Sequence, residues 1–343
     1  MNVFADFHHL DLWESLRILF EERLGWNLYR PIGEEWATSG YWKIAEPYGN
    51  HPDTIRQFLS TEIHTWQSGV FLNGDYRVED GIYHVYDPVH ENHQKAITLE
   101  QFKNMPIDIV VSSIPAHDFS FANLITEHKP NAKHIAQMGN IYQTTEVKNV
   151  MCSTMPYPVP ADKNVVFYHQ EFDLDTFGYK PPSDKKKITS FVNLLPRKEI
   201  YDLYQSQLVE FDFKAYGAGS PDGTITGTKA IAEIMRDSMF GWHIKPQGDG
   251  FGHIIHNWFA CGRPVITHGS DYQDKLAGAL LQDGKTCLDL ESCGFNENIN
   301  RILYWSIPEN HLEMCLNAYN RFKEIVNFDE EEKQIRSFLE KII

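Results

Sequence analysis

The segment WHIKPQGDGFGHIIHNWFACGRPVITHG, residues 242–269, constrains this chain more than any other. A short apolar run at 242–245 enters a loop carrying Gly248, Gly250 and Gly252, and the spacing that follows predicts a helix from about His253 to Cys261. Gly262 ends that helix and Pro264 opens the next strand, VIT. Strand, glycine-rich loop, helix and strand in this order describe a parallel βαβ unit. Glycines let a ligand approach the backbone, and a helix N-terminus offers N–H groups and the positive end of its dipole, so the loop suits a phosphate. Lys245 stands beside it as a mobile cation. A tight turn with no ligand has the same glycines, so the rest of the chain has to decide.

Upstream, residues 1–7 read as a buried strand, and Leu12, Leu16, Leu19, Phe20 and Leu24 recur at helical spacing until Gly25. Residues 26–66, rich in Trp, Tyr, Pro and Gly, show no usable period. Residues 107–114 (IDIVVSSI) form a near-continuous apolar run of the kind buried on both faces of a parallel sheet. Further short strands are expected at 132–139, 149–154 and 164–170. Residues 172–187, with paired prolines and a lysine run, mark a linker. The strand and helix rhythm restarts beyond it with KITSFVNLL, FDFKAYGAG, GWHIKP, RPVITHG and KTCLDL as strands. The tail presents Ile335, Phe338, Leu339 and Ile342 on one helical face that has to be buried. Three parts are therefore expected: an α/β domain over 1–184, a second over 185–326, and a C-terminal helix over 327–343.

Charge narrows the partners. The formal net charge is -16, and residues 1–184 carry −12 of it against −4 for residues 185–343. An acidic first half disfavours a phosphate-lined duplex or an anionic membrane surface. The five cysteines are an odd set without C-x-x-C spacing, which suggests neither a disulfide framework nor a zinc site. No stretch approaches the ~18–20 apolar residues of a membrane span, and the first residues lack a secretory pattern. A soluble, cytoplasmic protein is expected.

The run GDGFGHIIHNWFACGRPVI resembles the C-terminal signature of GT-B glycosyltransferases of the family 4 (group 1) type, E-G-F-G-x-x-x-x-E-A-M-A-C-G-x-P-V-I. Residues 168–182 (YHQEFDLDTFGYKPP) are similar to that family's segment before the linker, TSFVNLLPRKEI to the opening strand of its donor domain, and FDFKAYGAG to its middle strand and glycine turn. The resemblance covers most of residues 164–290, in the family's order. It implies an α/β GT-B fold: two Rossmann-like domains facing a cleft, with a C-terminal helix crossing back to the first.

The activity implied is transfer of a sugar from a nucleotide-diphosphate sugar, UDP favoured over GDP, to a hydroxyl-bearing glycan or small molecule. A retaining, metal-independent reaction without a cofactor is expected. By position the family's two glutamates become Asp249, beside the donor sugar, and Asn257, on the ribose hydroxyls; Asn is neutral but still accepts and donates hydrogen bonds. Arg197 or Lys198 stands at the family's diphosphate lysine, and Asn193 at its arginine. Lys245 is placed to supply the missing charge. Gly217, Gly219, Gly250, Phe251, Gly252 and His253 complete the donor set. On the first domain, loops after strands offer His117 and Asp118 as catalytic candidates and His8 and His9 on the acceptor side. Two other readings stay open: a DNA-base-modifying glycosyltransferase of viral type, and a non-catalytic nucleotide-sugar-binding homologue, the latter suggested by Asp249 and Asn257 in place of both acids.

Other patterns carry less. Asp173–Asp175 matches a metal-binding D-x-D but reads more simply as a turn. The sixteen histidines include no H-E-x-x-H, so no metal site is expected.

Overall fold

The computed structural model describes residues 1–5, 10–33, 36, 76–112, 121–139, 145–154 and 161–343. They form two compact units: Met1–Phe172 together with Phe328–Ile343, and Asp173–Asn327.

The first unit is built on a nine-stranded sheet. Its strands are β1 (Asn2–Ala5), β2 (Asn27–Pro31), β3 (Tyr76–Glu79), β4 (Ile82–Asp87), β5 (Asn92–Ile97), β6 (Ile109–Ser112), β7 (Lys133–Met138), β8 (Asn149–Cys152) and β9 (Asn164–Phe167), in the order β3-β4-β5-β2-β1-β6-β7-β8-β9. β3 and β5 flank β4 antiparallel, and every other pairing is parallel. Alternation along the central strands feeds two cores. Val3, Ala5, Ile109 and Val111 face Leu12, Trp13 and Leu16 of α1 (Leu10–Arg17), while Phe4 and Val110 face Leu124 and Phe102. The expected first helix is present, but its second half is a π-helical turn, Ile18–Arg23. β2 and the β3–β5 meander were not expected. They attach a buried polar chain to the sheet: Arg30 donates to Gln94, Gln94 donates to Asp87, and His90 lies between Asp87 (2.7 Å) and Asp11 (3.4 Å).

The C-terminal helix (Phe328–Ile342) belongs to this first unit, with Ile335, Phe338, Leu339 and Ile342 joining the cluster that contains Val3 and Ala5. Arg23 fixes its start by pairing with Glu171 (2.6 Å), Asp329 (2.9 Å) and Glu332 (2.9 Å). The Glu331 carboxylate accepts from the His169 backbone N–H at 2.7 Å.

The second unit is a five-stranded parallel sheet of β10 (Lys187–Phe191), β11 (Asp212–Tyr216), β12 (Phe240–His243), β13 (Val265–Thr267) and β14 (Cys287–Asp289), ordered β11-β10-β12-β13-β14. All five are the strands read from the sequence. The order reverses between β10 and β12, the place where open α/β sheets leave a crevice beyond their carboxyl ends.

The break between units falls at residue 172 rather than 184. Asp173 caps a one-turn helix (Leu174–Phe177) by accepting from Asp175 N at 2.8 Å, so the D-x-D is a turn. Beyond it, Arg263, with no exposed surface, donates to the carbonyls of Lys180 (2.9 Å), Pro181 (3.1 Å) and Arg236 (2.8 Å). That side chain binds the linker-like stretch to the second unit.

Candidate functional site

Three loops meet at the carboxyl ends of β10, β12 and β13. The first, after β10, holds Leu194, Leu195 and Arg197 at φ of 61°, 34° and 53°, a left-handed backbone that costs non-glycine residues energy and concentrates at functional sites. The turn after β11 props it up. Leu194 N donates to Ala218 O (2.8 Å), Ser220 Oγ to Val192 O (2.6 Å), and Ala218 N to Asn193 Oδ1 (2.9 Å). A Cβ on Gly217 would lie 2.7 Å from Val192 O, so the glycine is what lets the two loops touch. Asn193 is thus a strut, and Gly217 and Gly219 shape the loop.

Arg197 ends this loop at the N-cap of a helix (Lys198–Gln207) and turns its guanidinium to His268 Nδ1 and, at 3.6 Å, to Asp271 Oδ2. Burial keeps His268 below its ordinary pKa, consistent with a neutral ring that accepts from Arg197. Lys198 does not join the site: it is exposed and pairs with Asp202 one turn along the helix, at 2.6 Å.

The second loop is the glycine-rich one. Gln247 and Gly248 are both left-handed, at φ 67° and 64°, and Gln247 N donates to Asp271 Oδ1 at 3.0 Å. A Cβ on Gly248 would come within 2.3 Å of Asp271 O. Asp271 therefore ties the Arg197 loop to the glycine loop. Lys245 clasps Asp249 Oδ1, while Asp249 Oδ2 lies 3.9 Å from Nε2 of His243, the last residue of β12. His243 is 1% exposed, and burial pushes it down to about 4, so it is neutral. The Tyr272 ring packs beside it at 5.8 Å.

The loop ends at Gly252, φ 80°, the N-cap of α-helix His253–Ala260, with Phe251 stacked on His256 at 4.2 Å. This helix presses against β12, because a Cβ on Gly241 would meet Trp258 at 2.6 Å. Asn257 lies four residues after His253 and so on the same face. It is 8% exposed, and its Oδ1 has no hydrogen-bond partner among the described residues. The arrangement holds two cations, a helix N-terminus and a buried amide at the carboxyl end of one sheet, a set that can neutralise a diphosphate and accept from a hydroxyl.

The structure thus brings together Lys245, Asp249, Gly250, Phe251, Gly252, His253, Asn257 and Arg197, with Gly217 and Gly219 behind them. His243, His268, Asp271 and Tyr272 were missed. Each follows or ends a strand at its carboxyl end, the one signal that could have singled them out. In the first unit the strand order reverses at β1, between β2 and β6. The loops after β1 and β6, with His8, His9, His117 and Asp118, lie outside the described residues.

No protein-family model matches the sequence, and no curated protein matches it by sequence. Solved structures do match along nearly the whole chain. Sucrose-phosphate synthase from Thermosynechococcus elongatus is 12% identical with a TM-score of 0.62, covering 99% of this chain and 98% of its own. HepE from Anabaena in complex with UDP-glucose is 10% identical with a TM-score of 0.58, covering 99% and 100%. S. aureus TarM with UDP, α-GlcNAc-glycerol and fondaparinux is 11% identical with a TM-score of 0.60, covering 98% and 99%. The chain therefore has the α/β GT-B fold of these proteins.

Proposed function

We propose that this chain is a glycosyltransferase that binds a UDP-sugar in the second unit and passes the sugar to a hydroxyl acceptor. The convergence of Arg197, Lys245, the His253 helix terminus and Asn257 at the β10/β12 reversal carries the reading. HepE, of the same fold, was solved with UDP-glucose.

In this reading Lys245 and Arg197 leave their carboxylates for the diphosphate and stabilise the charge that grows on it as the glycosidic bond breaks. Asn257 accepts from the ribose hydroxyls, and Asp249, released by Lys245, faces the sugar. With protein cations on the leaving group, the reaction needs no divalent metal. It retains configuration if the leaving phosphate oxygen takes the acceptor proton; if it inverts, His117 or Asp118 is the base. His8 and His9 are acceptor-side candidates. The first half's net charge of −12 favours a neutral, hydroxyl-rich acceptor over DNA.

The five free cysteines suit a reducing compartment such as the cytoplasm, and no helix among the described residues is long and apolar enough to cross a membrane.

Incubation with UDP- and GDP-sugars, following nucleotide release with and without hydroxyl acceptors, tests the proposal. UDP release from at least one donor is expected; binding without release from any of them would favour the non-catalytic reading, which the carboxylate-paired Arg197 and Lys245 also fit. Absence of any nucleotide binding would refute both.

A further inference from the structure

His243 has no assigned task, yet its surroundings are specific. It ends β12 beneath the glycine loop, fully enclosed, and neither ring nitrogen has a hydrogen-bond partner among the described residues. A neutral imidazole always carries one N–H, so a buried donor is left unmet. Unmet buried donors are uncommon in folded proteins and call for an explanation.

Among the described residues, one carboxylate lies within ion-pair reach of the ring: Asp249 Oδ2, at 3.9 Å, just too far for a hydrogen bond. The other oxygen of that carboxylate is held by Lys245. Asp249 thus stands between two donors and reaches one. Tyr272 backs the ring, and Gly248 is pressed against Asp271, so the loop can release Asp249 from Lys245 without the ring having to move.

We infer that His243 is the positioning residue of this site: when a diphosphate draws Lys245 away, His243 Nε2–H takes over the Asp249 carboxylate and aims it at the sugar end of the donor. The inference rests on the proposed donor reading. No covalent step is involved; one ion pair opens and one hydrogen bond forms. Neutrality suits the task. A third cation would hold the diphosphate, whereas an uncharged donor fixes the carboxylate and leaves its charge for the sugar hydroxyls.

Two measurements test it. The first compares wild type, His243→Phe and His243→Gln for affinity toward UDP and UDP-glucose and for kcat and KM in donor hydrolysis. His243→Phe keeps the ring volume without a donor. It should bind UDP within about twofold of wild type but lose about tenfold in kcat, the size of one hydrogen bond to a charged group. His243→Gln, which restores an N–H, should recover most of that loss. Equal losses of UDP affinity and turnover in both variants, or full activity in His243→Phe, would overturn the inference.

The second measurement needs no ligand. In Lys245→Met the Asp249 carboxylate is freed, and the His243 imidazole N–H resonance should shift downfield as it acquires a hydrogen bond. The double variant Lys245→Met/Asp249→Ala should abolish the shift. No shift in Lys245→Met sinks the role of His243, whereas a shift in a protein that binds no UDP would leave the His243–Asp249 bond standing and refute the donor reading.

Discussion

Replacing Arg263 with Met should unlock the second unit at a place remote from any substrate. The guanidinium is fully enclosed, has no carboxylate partner among the described residues, and donates to backbone carbonyls. Burial pushes its pKa below the ordinary arginine value. Met fills much of the volume but strips donors from Lys180 O, Pro181 O and Arg236 O. Each buried acceptor left without a donor costs about 1–3 kcal/mol, and removing a desolvated charge returns part of that, so a net loss of about 3 kcal/mol is expected. Opening of the second unit should rise about 150-fold. Cys261, Cys287 and Cys315 are buried in that unit, and Cys152 is buried in the other. Thiol labelling under native conditions, read peptide by peptide, therefore reports each unit separately. Labelling of Cys261 and Cys315 should accelerate by that factor while Cys152 is unchanged. Less than a fivefold change would mean that Arg263 does not bind residues 173–184 to the second unit.

Three further outcomes are expected. Asn257→Ala should weaken UDP binding about tenfold by calorimetry, since it removes a buried acceptor in the crevice; unchanged affinity would displace the ribose from this helix. Gly248→Ala places a methyl 2.3 Å from Asp271 O on a left-handed backbone and should abolish nucleotide binding while lowering the melting temperature. His243 and His311 are both pushed down to about 4 by burial, while unfolded histidines titrate near 6.5. The unfolded chain binds more protons between those values, so their contribution is complete above about pH 6.5 and lost as pH falls toward 4. Urea midpoints of the second unit should drop over that window, and His311→Gln should flatten the drop.

The second unit was legible because its signals are local. Its strands are short, and its glycine loop holds Gly248 where a Cβ would strike Asp271 O. β3, with the sequence YRVE, has all four residues exposed and is too short for its alternation to stand out, so the meander that broadens the first sheet passed unnoticed. Site residues divide the same way. Asp249 and Asn257 follow from a contiguous motif, whereas Asp271 matters because a backbone N–H 24 residues earlier donates to it, a fact of packing. His243 hides in an apolar strand, where a lone histidine looks like filler. Lys198 was within reach of a better reading, since Asp202 four residues on is a helical ion-pair partner.

The membership of Phe328–Ile342 in the first unit sets an order of events during synthesis. The cluster around Val3 and Ala5 acquires Ile335, Phe338, Leu339 and Ile342 only after every residue of the second unit has been translated. The growing chain can thus complete its second unit while the first still exposes an apolar sheet face. Chaperone dependence of a nascent chain should end with the arrival of this last helix, and a ribosome stalled near residue 327 would display a finished second unit beside an unfinished first one.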